Sequence, residues 1–549
     1  MRHRKNVRQT AWVFMTSQPR ADRGCKRVAA SRARRYATGG LAACGAWFAL
    51  LSTGPLQSQA VTPTVVDPDL AVATVVSGLS QPIGMAFIGR QDIFVLEKAS
   101  GKVQRVINGI LQSTPALDLA VNSASERGLL GIALHPRFPR NPRVYLYWTE
   151  STAMDAAGAP VDTDDLASTP LLGNRVDSFT WNGTTLRFER NLIRLHAFQA
   201  DAGQPLRGNH NGGIIRFEVS RDGDGDDRDG RDRDDGDGDL GNRRNDDQDT
   251  ARLFIIIGDN GRRGQTQNLE DGPFGPGIPD DQFGGPKPDN AHLTGVVLRL
   301  NDDGTTPRDN PFFQAGRRIG GEVGANIQKI FAYGIRNSFG MAVDPRTGDL
   351  WNQENGDDSF DEINRITAGQ NNGWVQVMGP LSRVAEFKMI ETTPPFDGLQ
   401  QIRWPPTNIA NTPAEARARL LMLPGAHYRD PQFSWKYAIA PAGIGFLSGR
   451  GLGRQYDGDL FVGAARPTLD AGYLLRFNLS ESRRSLAFSD PRLADRVADN
   501  VAKFDATESE TLRFGAGFGV GTDIQTGPNG NLFVVSLSNG AIYEIHRVH

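Results

Sequence analysis

The hexapeptide GNHNGG (208–213) sets His210 in a glycine-flanked turn just before an apolar run, where its ring would stay accessible. Imidazole exchanges a proton near neutral pH, so a histidine held this way can act as a general base. Its candidate partner is Asp259 in IIIGDNG, at the end of the next apolar run, where a carboxylate would orient the ring and raise its basicity. Position alone leaves a plainer reading open, a structural loop histidine. A second group lies within 330–374. There YGIRN puts Arg336 and Asn337 before another apolar run, and arginine is the side chain best matched to a carboxylate through paired hydrogen bonds. A surface or inter-blade ion pair is the alternative for such an arginine. Further on, ENGDDSFDE (354–362) offers carboxylates and glycine-loop carbonyls, hard oxygen donors that suit Ca2+. It lacks EF-hand spacing, and a plain polar turn is its other reading.

Groups so far apart in sequence need a scaffold that brings them together. From Leu79 onward one unit recurs: a glycine, a short apolar strand, a Pro/Gly/Asp turn and a second apolar strand. Copies lie at 82–106, 128–150, 212–219 with 252–261, 339–354, 442–449 with 458–464, and 520–545. A unit that cannot bury both faces alone, repeated in this way, predicts an all-β fold: a six-bladed β-propeller of four-stranded antiparallel blades, spanning 61–549 as a single domain. A pair of large β-sandwiches is the competing architecture. The 63 glycines and 32 prolines fit either, since both residues interrupt helices and supply turns. The third copy carries an Asp/Gly/Arg-rich insertion at 220–250, expected to be a disordered, solvated hairpin tip, with Ca2+ chelation by its alternating aspartates as the other reading. The glycine run GAGFGVG (515–521) lacks dinucleotide-loop spacing and reads as entry to the last blade.

Charge and cysteine content narrow the function classes. Residues 1–60 hold eleven Lys or Arg and one acid, Asp22, which leaves fifty basic against sixty-two acidic residues, a charge of −12, in the remainder. An acidic body argues against nucleic acid as a partner, since phosphate binding needs a basic surface. The basic start, the apolar run at 41–51 and a small-residue site near Gln59-Ala60 read as an export leader (1–60), so the mature protein is expected to be periplasmic or secreted. The apolar run is too short to cross a bilayer, and no integral membrane span is expected. Cys25 and Cys44 both lie in the leader, so the mature chain would hold no disulfide, Fe–S ligand or attached haem.

Taken in order, ERGLLGIALHPRF (126–138), HNGG (210–213), IGDNG (257–261), LRLNDDGTTPRDNPF (298–312), AYGIRNSFGMAVDP (332–345), DEINRITAGQNNGW (361–374) and APAGIGF (440–446) resemble the glucose/sorbosone dehydrogenase family, the soluble quinoprotein aldose dehydrogenases. The resemblance implies a six-bladed propeller with pyrroloquinoline quinone (PQQ) and Ca2+ on its axial face. It implies oxidation of an aldose-type sugar at C1 by hydride transfer to the quinone, with His210 as general base and Asp259 as its orienting carboxylate. By the same resemblance Arg336 and Asn337 contact the cofactor, Arg466 faces it and Glu126 lines the site. Gly356 and Asp357 match the loop whose carbonyls hold the active-site Ca2+, and Glu362 matches a ligand of a second, structural Ca2+. Electrons would leave to an external acceptor. The chain departs from the family form at Phe339, where a glutamine would stand, at Val520 and Thr522, where arginines would precede Asp523, and at Asn372, where a tyrosine would stand. Those departures give a second reading, a propeller that has lost the cofactor and binds carbohydrate or a protein. A third is a Ca2+-dependent lactonase, because propellers also host that chemistry around an axial metal.

Overall fold

Short runs of Val, Ile, Leu and Phe cut by Gly and Pro turns favour strands, because β-branched and aromatic side chains pack well on a pleated surface. In the computed structural model, which describes residues 62–198, 208–219, 251–261, 293–395, 406–466 and 471–548, those runs gather into six sheets. The leader expected at 1–60 and the insertion at 220–250 lie outside the described residues.

Each sheet begins on one of the repeated units. The six first strands are Pro82–Gly89, Leu129–Leu134, Ile215–Phe217, Gly340–Val343, Pro441–Phe446 and Gly521–Thr526. Each touches the next in chain order, and the last returns to Pro82–Gly89, so the inner strands form a closed ring. This architecture is an all-β propeller. Two apolar faces meet between neighbouring sheets: Tyr147 packs in one core with Ile255 and Leu298, and Trp351 meets Phe446 edge to face at 6.2 Å. An early strand and the last share a sheet, with Leu70–Val76 antiparallel to Ala541–Arg547 and Ala73 opposite Glu544.

The expectation of uniform four-stranded antiparallel blades is corrected. Two sheets have four strands and the others five or six. The extra strands include Gln370–Asn371, His427–Tyr428 and Val497–Ala498, which join in parallel where the connections after Ile366, Asn371 and Ala487 run back along outer edges and pair their backbone groups there. The connection after Trp374 also carries helices, Val384–Thr392 and Pro413–Arg419, for which the strand repeat gave no signal. Their apolar faces (Val384, Phe387, Ile390, Ala416) form a separate core with Phe360 and Trp374.

Ring closure should make the terminal sheet sensitive to cavities. Ile542 is fully buried between the Leu70–Val76 sheet and its neighbour, so Ile542→Ala is expected to cost about 2–5 kcal/mol in urea unfolding. Ile110→Ala, on an exposed side chain, should stay within about 0.5 kcal/mol.

Candidate active site

His210 precedes the strand Ile215–Phe217 in a left-handed backbone conformation, φ 58°, a region where a non-glycine residue is held only by its surroundings. One restraint is Glu126, whose carboxylate accepts the His210 backbone N–H. The other is Asp259, whose Oδ1 lies 2.5 Å from His210 Nδ1. Asp259 follows the strand Arg252–Ile257 and is itself fixed: Oδ1 accepts the Gly261 N–H at 2.7 Å, Oδ2 accepts Trp374 Nε1–H at 2.9 Å, and its own N–H donates to the Arg336 carbonyl at 2.9 Å. Glycine at 258 allows this convergence, since a Cβ there would sit 2.4 Å from the Arg336 carbonyl oxygen and 2.7 Å from that of His210. With a carboxylate on Nδ1, the ring proton sits on that nitrogen and Nε2 is left as the basic atom.

Arg336 is the centre of the second group. Its guanidinium donates to the carbonyls of Asn355 (3.0 Å) and Gly356 (2.6 Å) and to Asp357 Oδ1 (2.9 Å), and lies 5.5 Å from the Trp374 ring centroid. Its backbone N–H donates to Glu354 Oε1 at 2.5 Å. The loop is shaped by Asp361, which accepts the Gly356 N–H at 2.8 Å and the N–H groups of Ile439 and Ala440 at 2.7 and 2.8 Å. Burial pushes the Asp361 carboxyl up while those N–H groups pull it down, and burial has the larger effect.

The two groups meet in one cavity of about 1390 Å3, counting its open mouth, which the inner ends of the sheets surround. His210, Glu126, Arg336, Asn337, Gly356 and Asp357 all line it. Its walls include Ile83, Leu130, Phe339, Pro441 and Val520. Two lysines outside the sequence motifs, Lys98 and Lys503, also line it. Lys98 is 2 % exposed, donates to the Ser123 carbonyl at 2.9 Å, and is pushed down to about 7 by burial and by Arg127. Lys503 reaches in from a distant loop to Asp358 Oδ1 at 2.5 Å and the Asp357 carbonyl at 3.3 Å.

Thus seven of the nine expected site residues form one assembly, Asp259 standing just behind His210. Two stand apart. Glu362 is buried within its sheet opposite Glu354, and burial together with Glu354 pushes its carboxyl well up. Burial likewise raises Glu354 to about 7. Arg466 stacks its guanidinium 4.6 Å from the Tyr473 ring centroid, and its neighbour Ala465 lines the cavity. Lys98 had a faint signal, a lone cation closing an apolar strand before a glycine turn. Lys503 had none, because its partners are more than a hundred residues away in sequence.

The family described as Glucose / Sorbosone dehydrogenase matches residues 79–192 and 230–381. Quinoprotein glucose dehydrogenase B of Acinetobacter calcoaceticus is 29% identical over 308 residues, 56% of this chain and 52% of that protein, so the chain spans about half of that relative's length. Aldose sugar dehydrogenase YliI of Escherichia coli is 25% identical over 390 residues, 71% of this chain and 76% of that protein. The crystal structure of the soluble aldose sugar dehydrogenase of Escherichia coli in the apo-form superposes with a TM-score of 0.53 at 21% identity, covering 87% of this chain and 100% of that one, which places the two in the same fold.

The depressed Lys98 ammonium gives a signed pH dependence. Its folded pKa of about 7 lies below the unfolded value of 10.5, so burying the charge costs stability below pH 7, and the cost fades as pH rises from 7 to 10.5. Lys98→Met should therefore raise the melting temperature more at pH 6 than at pH 9 in paired thermal scans.

Proposed function

The chain belongs to the glucose/sorbosone dehydrogenase family, and on that footing we propose that it is a quinoprotein oxidoreductase that oxidises an aldose-type sugar at C1. The observation that carries this reading is the buried His210–Asp259 pair at the wall of a cavity on the propeller axis. Family membership and the Acinetobacter and Escherichia coli relatives, named as a glucose dehydrogenase and an aldose sugar dehydrogenase, support the substrate class.

The residues present fit PQQ and Ca2+. PQQ is flat and carries three carboxylates, and the cavity joins apolar walls to the basic side chains Lys98, Arg336 and Lys503. The buried amide oxygens of Asn337 and Asn355, both on the cavity wall, have no hydrogen-bond partner among the described residues, as expected of groups that serve a ligand. Val520 and Thr522 line the wall without charge, and the basic side chains Lys98 and Lys503 reach it from elsewhere in the chain. The carbonyls of Asn355 and Gly356 converge on a guanidinium, and that of Asp357 on an ammonium, so this loop is built to receive positive charge and would hold Ca2+. Bound together, the pair would supply a two-electron acceptor for the C1 hydride and a Lewis acid beside it.

The chain's own part is proton handling and orientation. His210 Nε2 takes the C1 hydroxyl proton, and Asp259 stabilises the resulting imidazolium through Nδ1. Trp374 and Gly261 prevent the carboxylate from turning away. Arg336 binds anionic oxygen through its fork, and Asn337 offers an amide beside it. The six sheets support a six-bladed reading, and the facing Glu354 and Glu362 support a structural Ca2+ there, since a cation would relieve two buried carboxylates. We read the mature protein as a single periplasmic or secreted domain that passes electrons to an external acceptor. A cofactor-free binding module is the second reading, favoured by Phe339, Val520 and Thr522 in the wall.

Purified protein supplied with PQQ and Ca2+ should reduce a dye with at least one sugar of an aldose panel. His210→Asn should lower kcat by about 10²–10⁴-fold, the range for loss of a general base. Absence of turnover across the panel, with glycan binding that needs no quinone, would establish the binding-module reading instead.

A further inference from the structure

We propose that the carboxylates of Asp357, Asp358 and Glu391 form a divalent-cation site, for a hard ion of the Ca2+ class, that ties the helix Val384–Thr392 to the Gly356 loop. One carboxylate oxygen from each residue lies within 4.8 Å of the others, a spacing that an ion with oxygen ligands at about 2.4 Å can bridge. The helix end fixes Glu391 in place, since Phe387 and Ile390 on the same helix are held in the Phe360 and Trp374 core and Glu391 itself has no exposed surface. Its side chain cannot swing out to water.

Glu391 is the residue that points to a ligand. Oε1 accepts Ser359 Oγ–H at 2.6 Å and the Asp358 N–H at 3.2 Å. Oε2 is buried and has no hydrogen-bond partner among the described residues. Asp357 has Arg336 and Asp358 has Lys503 as ion-pair partners, whereas no basic side chain pairs with Glu391 among the described residues. A carboxyl in that position either keeps its proton or meets a cation. The donors are all oxygen, which selects Ca2+ or Mg2+ over softer metals. This site uses the Asp357 carboxylate and not its carbonyl, and it requires no quinone.

The test is bound calcium per chain, measured by atomic emission on quinone-free protein after gel filtration in Ca2+ buffer, alongside the melting temperature with Ca2+ and with EGTA. Glu391→Gln preserves the shape and the Oε1 contacts, and Asp358→Asn is a second, part-exposed probe should the first fail to fold. The proposal expects one fewer bound Ca2+ per chain than wild type in the folded variant and a smaller Ca2+-induced rise in melting temperature. Wild-type calcium content and an unchanged Ca2+ response in both variants would overturn it, as would wild-type protein that binds no calcium dependent on either residue. Loss of aldose oxidation with calcium content intact would bear on the quinone reading alone.

Discussion

The His210–Asp259 hydrogen bond is the contact on which the rest of the site depends, because both groups are buried and neither is placed by its own strand alone. Asp259 takes three further bonds, to Gly261, to Trp374 and, through its backbone, to Arg336. The same Arg336 is clasped by the 355–357 loop. One network therefore links the third and fourth sheets and the start of the helical connection. A buried polar network of this kind is stable only when its members are satisfied, which is why the segment between Arg336 and Trp374 concentrates so many polar residues in an apolar setting. Gly258 lets three backbone segments approach closely enough to close the network.

Electrostatics divides the cavity into two regions. On the His210 side, Glu126 takes a backbone N–H of the base, and Lys98 lies close enough to Glu126 and Arg127 for both to act on its charge. On the Arg336 side, Asp357, Asp358 and Glu391 confront Arg336 and Lys503. The loop is thus rich in oxygen, with the Asn355 and Gly356 carbonyls and the Asp357 carboxylate meeting Arg336 and the Asp358 carboxylate meeting Lys503. Val520 and Thr522 line the cavity without charge, while Lys98 and Lys503 line it elsewhere.

Much of this was legible in the sequence because the propeller is a repeat and the chemistry sits at its punctuation. The six inner strands follow the recurring units, with His210 and Arg336 just before such a strand and Asp259 just after the next strand, so their convergence on the axis follows from the fold class. Parallel edge strands such as Val497–Ala498 were not legible, since pairing of two residues across a long connection leaves no period. Helix Val384–Thr392 has a weakly apolar pattern of its own and forms by packing on Phe360. Lys503 and Glu391 were silent for the same reason: their importance lies in partners brought close by tertiary structure. Arg466 shows the opposite case, a residue that motif position directs toward the cavity and that packing directs onto Tyr473.

The central claim is that the axial cavity is a quinone site assembled around this network. Calorimetric titration of the full chain with PQQ in the presence of Ca2+ tests it most directly. The account predicts one PQQ bound per chain, with affinity reduced in Lys98→Met. Heat indistinguishable from dilution, or binding unaffected by Arg336→Ala and Lys98→Met alike, would contradict it.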